Sequence, residues 1–274
     1  MDRRSATLCS AVMRCLTLAL LLWPSLLFAR DMEVDVELFL AVDVSRSMSP
    51  AELEIQRRGY AEALSSAAVM EAVESGMLGR IALTYVEWAG EYSQRVIVPW
   101  QVLASAEDAR QIAQTITAQF DAGLRRTSIS GALLYATQDF EDNGFEGLRR
   151  VIDVSGDGPN NQGRPVTRAR DKALAEGFII NGLPLMTTDA LSELWGIPDL
   201  DQYYKNCVIG GPGAFVVPVY SWDQFADAVT RKLVLEIAAA PTPAPQANLR
   251  KVATYDCLVG EKMWERNRGY FEIP

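Results

Sequence analysis

Apolar residues follow two rhythms along this chain. Near-continuous runs at 34–44 (VDVELFLAVDV), 80–90 (RIALTYVEWAG), 149–159 (RRVIDVSGDGP), 178–185 (FIINGLPL) and 214–220 (AFVVPVY) predict strands of the kind buried on both faces of a parallel sheet. SQRVIVPW at 93–100 predicts one more, antiparallel to 80–90 across the GEYS turn. Between these runs the spacing turns helical. Ser49-Pro50-Ala51-Glu52 is a capping-box spacing with proline at the first helical position, and it opens a helix expected to reach about residue 73. Leu53, Tyr60, Leu64 and Ala68 give that helix an apolar face. Further helices are expected at 105–121, 129–142, 165–176, near 189–205 and at 222–238.

Strands alternating with helices of ten to twenty residues mean βαβ units. The expected fold is α/β: a doubly wound, mainly parallel sheet with helices on both faces and one antiparallel edge strand, Rossmann-like in outline. Residues 30–238 are long enough for one such domain. Residues 239–248 are rich in Ala and Pro and read as an extended linker, leaving 249–274 as a C-terminal tail with aromatic residues.

The start of the chain has a different character. Arg3, Arg4 and Arg14 precede a short apolar stretch, Cys15 to Ala29, that Pro24 interrupts, so residues 1–29 read as a signal peptide cleaved after Ala29. Export to the periplasm or the outside follows, with no membrane contact once the signal is removed. Cleavage takes away one acid and three arginines and moves the formal charge from -9 to -11. An acidic surface without a Lys/Arg run argues against nucleic acid as a partner. Cys207 and Cys257 remain after processing. In an oxidising compartment they are a candidate disulfide closing a loop of about fifty residues, though two unrelated thiols fit the sequence as well.

The 274 residues contain no histidine. Serine–histidine–aspartate triads, cysteine–histidine pairs and HExxH zinc sites are therefore excluded. Any chemistry must come from carboxylates, hydroxyls, Lys, Tyr or a metal. In an open doubly wound sheet a ligand sits beyond the carboxyl ends of the strands, where the strand order reverses. The loop after the first long strand carries Asp43, Ser45 and Ser47, a later strand ends at Asp157 in SGDG, and Thr127 stands just before a helix. Two carboxylates and three hydroxyls suit a hard, oxygen-preferring ion such as Mg²⁺, with Mn²⁺ or Ca²⁺ as alternatives. Each residue has a plainer reading too, as a turn or cap residue satisfying backbone groups. Arg46, Arg125, Arg126 and Arg164 fall in or beside the same loops, as ordinary solvated surface or as a cationic rim that meets an acidic partner.

Asp43-Val44-Ser45-Arg46-Ser47, the isolated Thr127 before ISGALLYA, and Asp157 in a strand-ending Asp-Gly turn together resemble the metal-ion-dependent adhesion site of von Willebrand factor A-type domains. The likeness runs over roughly 34–238. More narrowly the chain looks like an uncharacterised family of secreted bacterial proteins with this domain, which shares a CVIGGPGAF segment like that at 207–215. The resemblance implies Ser45 and Ser47 as direct metal ligands, Thr127 as a direct or water-mediated one, and Asp43 and Asp157 acting mostly through water. It further implies a protein partner that offers an Asp or Glu side chain to the ion. Two positions depart from the pattern: Arg46 and Gly156 stand where glycine and threonine are frequent. The competing expectation is a metal-dependent hydrolase or phosphatase on a related sheet. Enzymes of the haloacid-dehalogenase type want a second aspartate two residues after the first, where this chain has Ser45.

Overall fold

The structure is a computed structural model that describes residues 31–118, 124–187, 196–238 and 255–267. The expected signal peptide and linker lie outside the described residues. Five strands form the central sheet: β2 (Glu37–Asp43), β3 (Ile81–Trp88), β4 (Gln94–Leu103), β6 (Arg150–Gly156) and β7 (Ile179–Pro184), in the order β4-β3-β2-β6-β7. Every pair is parallel except β3–β4, the expected antiparallel edge. Pro99 lies within β4, where a missing amide hydrogen is tolerated because the strand is at the edge. Two short strands unforeseen from the pattern, β1 (Met32–Val34) and β5 (Phe145–Gly147), pair separately.

β2 is buried along its whole length, and its side chains divide strictly by parity. Leu38, Leu40 and Val42 join the core beneath α1 (Pro50–Leu64), α2 (Ala67–Glu74), α3 (Ala106–Ala118) and α7 (Phe225–Ala238). Phe39 and Ala41 join the core on the other side, with α4 (Ile129–Asp139) and α5 (Val166–Ala175). This two-sided burial is why the run reads as unbroken apolar sequence.

Three expectations are corrected. The helix over 50–73 is two helices, because Ser66 turns out of helical geometry and caps α2 by accepting from the Val69 amide at 3.2 Å. Residues 214–220 are an extended segment beside β7 rather than a regular strand. Val217 and Val219 donate to Gly182 and Pro184 (both 3.0 Å), but Pro218 between them has no amide hydrogen. In place of one helix near 189–205, the described part holds a short α6 (Leu200–Tyr203) that widens into a π-turn over Tyr204–Val208. Residues 188–195 lie outside the described residues.

Cys207 in that π-turn forms a disulfide with Cys257. The tail then continues as α8 (Val259–Asn267), which the sequence pattern did not reveal. Among the described residues no helix is long and apolar enough to cross a membrane.

Candidate metal centre

The chain leaves β2 for β3 and β4 on one side and returns through β6 and β7 on the other, so β2 and β6 meet where the strand order reverses. Asp43 ends β2, and Asp157 follows the last residue of β6. The two carboxylates therefore arise from adjacent parallel strands at their carboxyl ends, the expected position for a site.

Local bonding preorganises the first loop. The Ser45 amide donates to Asp43 Oδ1 at 2.7 Å, and Gln56 from α1 donates to the Asp43 carbonyl at 2.9 Å. Ser45 and Ser47 bring their hydroxyls within 2.9 Å of each other, and Ser47 Oγ donates to Asp157 Oδ1 at 2.8 Å. Helix capping draws on none of these oxygens. Ser49 caps α1, accepting from the Glu52 amide at 3.3 Å while Glu52 accepts from the Ser49 amide at 2.7 Å.

Thr127 enters from the neighbouring loop. Residues Val44 to Arg46 pair with Leu124 through two backbone bonds of 2.8 Å, which lays this loop beside Ser45. The Thr127 amide donates to Asn161 Oδ1 (3.0 Å), and the Asn161 amide returns a bond to the Thr127 carbonyl (2.8 Å). The threonine hydroxyl is thus left out of backbone satisfaction, and Ser128 rather than Thr127 caps α4.

Electrostatically the site holds more negative charge than it neutralises. Asp43 is fully buried, and burial followed by repulsion from Asp157 pushes its carboxyl well above the usual range, offset in part by the Ser45 and Asp157 amides. Its Oδ2 has no hydrogen-bond partner among the described residues. Close by is the buried hydroxyl of Tyr204, equally without a partner among them, whose ionisation is pushed up by burial and then by Asp43. Gly156 lies between: a Cβ there would stand 2.9 Å from both Asp43 Oδ2 and the Tyr204 hydroxyl. The tyrosine hydroxyl and the Asp43 carboxylate occupy the space a side chain at 156 would need.

Of the sequence-derived residues, Asp43, Ser45, Ser47 and Asp157 form one connected cluster, with Thr127 alongside. Arg46, Arg125 and Arg164 are exposed. Arg126 differs, because its guanidinium stacks over the Trp264 ring of α8, 3.2 Å from its centre. The sequence reading missed Tyr204, Asn160, Asn161 and Gln56. The paired asparagines directly after SGDGP were a legible sign of a side-chain-bonded loop, whereas nothing marked Tyr204 or Gln56. No group of three or more His, Cys, Asp or Glu side chains placed to hold a metal converges anywhere among the described residues.

The profile of the family described as "Protein of unknown function (DUF1194)" matches residues 33–241. The chain belongs to that family. Its fold is that of a von Willebrand factor A-type domain, as the solved structures similar to this DUF1194 domain show. They include a von Willebrand factor type A protein from Catenulispora acidiphila (15% identity, TM-score 0.53, covering 75% of this chain and 43% of that one). Proximal thread matrix protein 1 from the mussel byssus is another (16%, 0.52, 76% and 49%), and one of its structures has a zinc-occupied MIDAS motif. The pilus adhesin SpaC from Lactobacillus rhamnosus GG is a third (12%, 0.54, 76% and 31%). The chain spans about half or less of the length of each of these proteins. No curated protein sequence matches it.

Proposed function

We propose that this domain is an exported, non-enzymatic binding module in which Asp43, Ser45, Ser47, Thr127 and Asp157 hold a divalent cation, Mg²⁺ by preference with Mn²⁺ or Ca²⁺ able to substitute. The ion completes its shell with a carboxylate from an Asp or Glu of a partner protein. One observation carries the reading: an unbroken chain of oxygens, Ser45–Ser47–Asp157, ends beside a buried Asp43 carboxylate whose outer oxygen has no partner among the described residues. Two buried acids facing each other are costly unless a cation joins them.

The donor set fits the ion. Oxygen donors without sulfur or imidazole favour a hard cation, and two carboxylates balance its +2 charge, so one further anionic ligand is accommodated. The metal-occupied MIDAS motif of the byssus protein supports a divalent ion on this fold without selecting Mg²⁺. The exposure of Arg46, Arg125 and Arg164 supports their proposed part in receiving the acidic partner group. The test is a melt with Mg²⁺ and with EDTA, followed by capture of envelope proteins on the immobilised domain under both conditions. Mg²⁺-dependent stabilisation and capture, both lost in Asp43→Ala, support the module. Capture that is indifferent to EDTA and to Asp43→Ala refutes it.

A further inference from the structure

A second support for the site comes from outside the family-matching residues. α8 meets the site loops at three points. Asn160 Nδ2 donates to Glu261 Oε1 at 2.8 Å. Gly260 packs so tightly that a Cβ would come within 2.1 Å of the Asn160 carbonyl oxygen. Trp264 supports the guanidinium of Arg126.

What α8 touches is next to the proposed ligands rather than part of them. Arg126 directly precedes Thr127 and holds a left-handed backbone, φ 77°, that a residue with a side chain seldom adopts and that neighbouring contacts must maintain. Asn160 sits three residues after Asp157 and beside Asn161, which bonds Thr127 in both directions. The Asn160 side chain also accepts from the Ser130 amide (2.9 Å), and its backbone amide donates to the Tyr203 hydroxyl (3.1 Å). The Cys207–Cys257 disulfide anchors the tail two residues before α8 begins, next to Tyr203 and Tyr204 in sequence. One helix therefore spans the loops carrying Thr127 and Asp157, tied to the same π-turn that places Tyr204 under Asp43.

We propose that α8 is a working part of the metal centre: Glu261 and Trp264 are positioning residues that hold the Thr127 and Asp157 loops at the spacing the cation needs, with the disulfide as their tether. This rests on the metal reading above. Outer partners that orient ligand loops commonly set metal affinity by tenfold or more. Coupling of this kind is reciprocal, so bound metal must tighten α8 by the factor that α8 tightens the metal.

The experiment titrates MgCl₂ into the full chain by calorimetry, with Mn²⁺ as a second probe, and follows hydrogen exchange of the peptides over 157–164 and 259–267. The variants are Glu261→Ala, Trp264→Ala, their combination, and Glu261→Gln, which keeps an acceptor oxygen for Asn160. The double variant is expected to lose about tenfold in Mg²⁺ affinity and to speed exchange over 157–164, while Glu261→Gln stays within about twofold of the unaltered chain. Mg²⁺ should slow exchange in α8 of the unaltered chain and leave it unchanged in Asp43→Ala. If the double variant melts poorly, the two single variants carry the same comparison at smaller amplitude. Undiminished Mg²⁺ affinity in variants that have lost α8 protection overturns the positioning role and leaves the metal site standing. No Mg²⁺ or Mn²⁺ binding by the unaltered chain overturns the site itself, and the coupling with it.

Discussion

Replacing Asp43 by asparagine should stabilise the domain without metal and destabilise it with metal. The amide side chain keeps the oxygen that accepts from the Ser45 amide but removes the charge facing Asp157, and it places a donor beside the Tyr204 hydroxyl, which has no partner among the described residues. Relieving a buried, unsatisfied acceptor is worth about 1–3 kcal/mol. In a domain of this size that raises the melting temperature by a few degrees, on the order of 5 °C. Mg²⁺ at a hundred times its dissociation constant stabilises the unaltered chain by about 2.7 kcal/mol, a shift of roughly 5–10 °C that Asp43→Asn forfeits. The two melting curves must therefore change places between EDTA and Mg²⁺. The pH dependence has a definite sign: the Asp43 pKa is raised in the fold, so its cost builds up as pH rises from the ordinary carboxylate range towards the raised folded value and is absent below that range. The advantage of the Asp43→Asn variant in EDTA should accordingly fade as the pH is lowered towards the ordinary carboxylate range. Differential scanning fluorimetry at several pH values reads all of this. If the Asp43→Asn variant melts below the unaltered chain in EDTA as well as in Mg²⁺, the aspartate is a turn residue and the argument for a cation is refuted.

Gly156→Ala should cost about 1–3 kcal/mol, because its Cβ meets the Tyr204 hydroxyl and Asp43 Oδ2 at 2.9 Å. Tyr204→Phe should be close to neutral alone and should recover part of that loss in the double variant; additive losses in urea unfolding would show that the tyrosine does not occupy this space. A buried charge cluster deeper in the fold predicts a separate pH effect: Lys232 reaches Asp153 at 2.5 Å and also pairs with Glu236, whose pKa is raised to about 7 by burial and then by Asp153. A raised acid is held protonated by the fold, so this group's contribution is lost as pH climbs from the ordinary value of 4.5 to about 7, by at most about 3 kcal/mol. Glu236→Gln should remove that slope in unfolding free energies measured between pH 5 and 8, and curves parallel to the unaltered chain's would contradict the assignment. Lys232→Met should instead destabilise by about 3–5 kcal/mol at pH 7, since it leaves two acids buried without their cation.

Much of the sheet was legible because burial on both faces leaves an unambiguous mark, as in Leu38 to Val42. The errors came where backbone bonding rather than burial decided the outcome. Ser65-Ser66 divides a stretch with a continuous apolar face through one hydroxyl cap, and Pro218 interrupts an otherwise strand-like run. The nearness of Asp43 and Asp157 was legible because residues at the carboxyl ends of adjacent parallel strands come together wherever the sheet forms, so local motifs report a distant assembly.

By itself the sequence determined the layered α/β architecture, the oxygen donors available to a cation, the absence of histidine side chains and Cys207 and Cys257 as a candidate pair. These depend on periodicity and composition, which are properties of short stretches. Tertiary structure alone decided that Tyr204 takes the space beside Gly156, that Asn160 and Asn161 bind the Thr127 loop, and that α8 reaches across to Glu261–Asn160 and Trp264–Arg126. Those contacts join residues from about 30 to more than 130 positions apart. Their energies depend on distances that exist only once the sheet has closed and the disulfide has brought the tail back over the site.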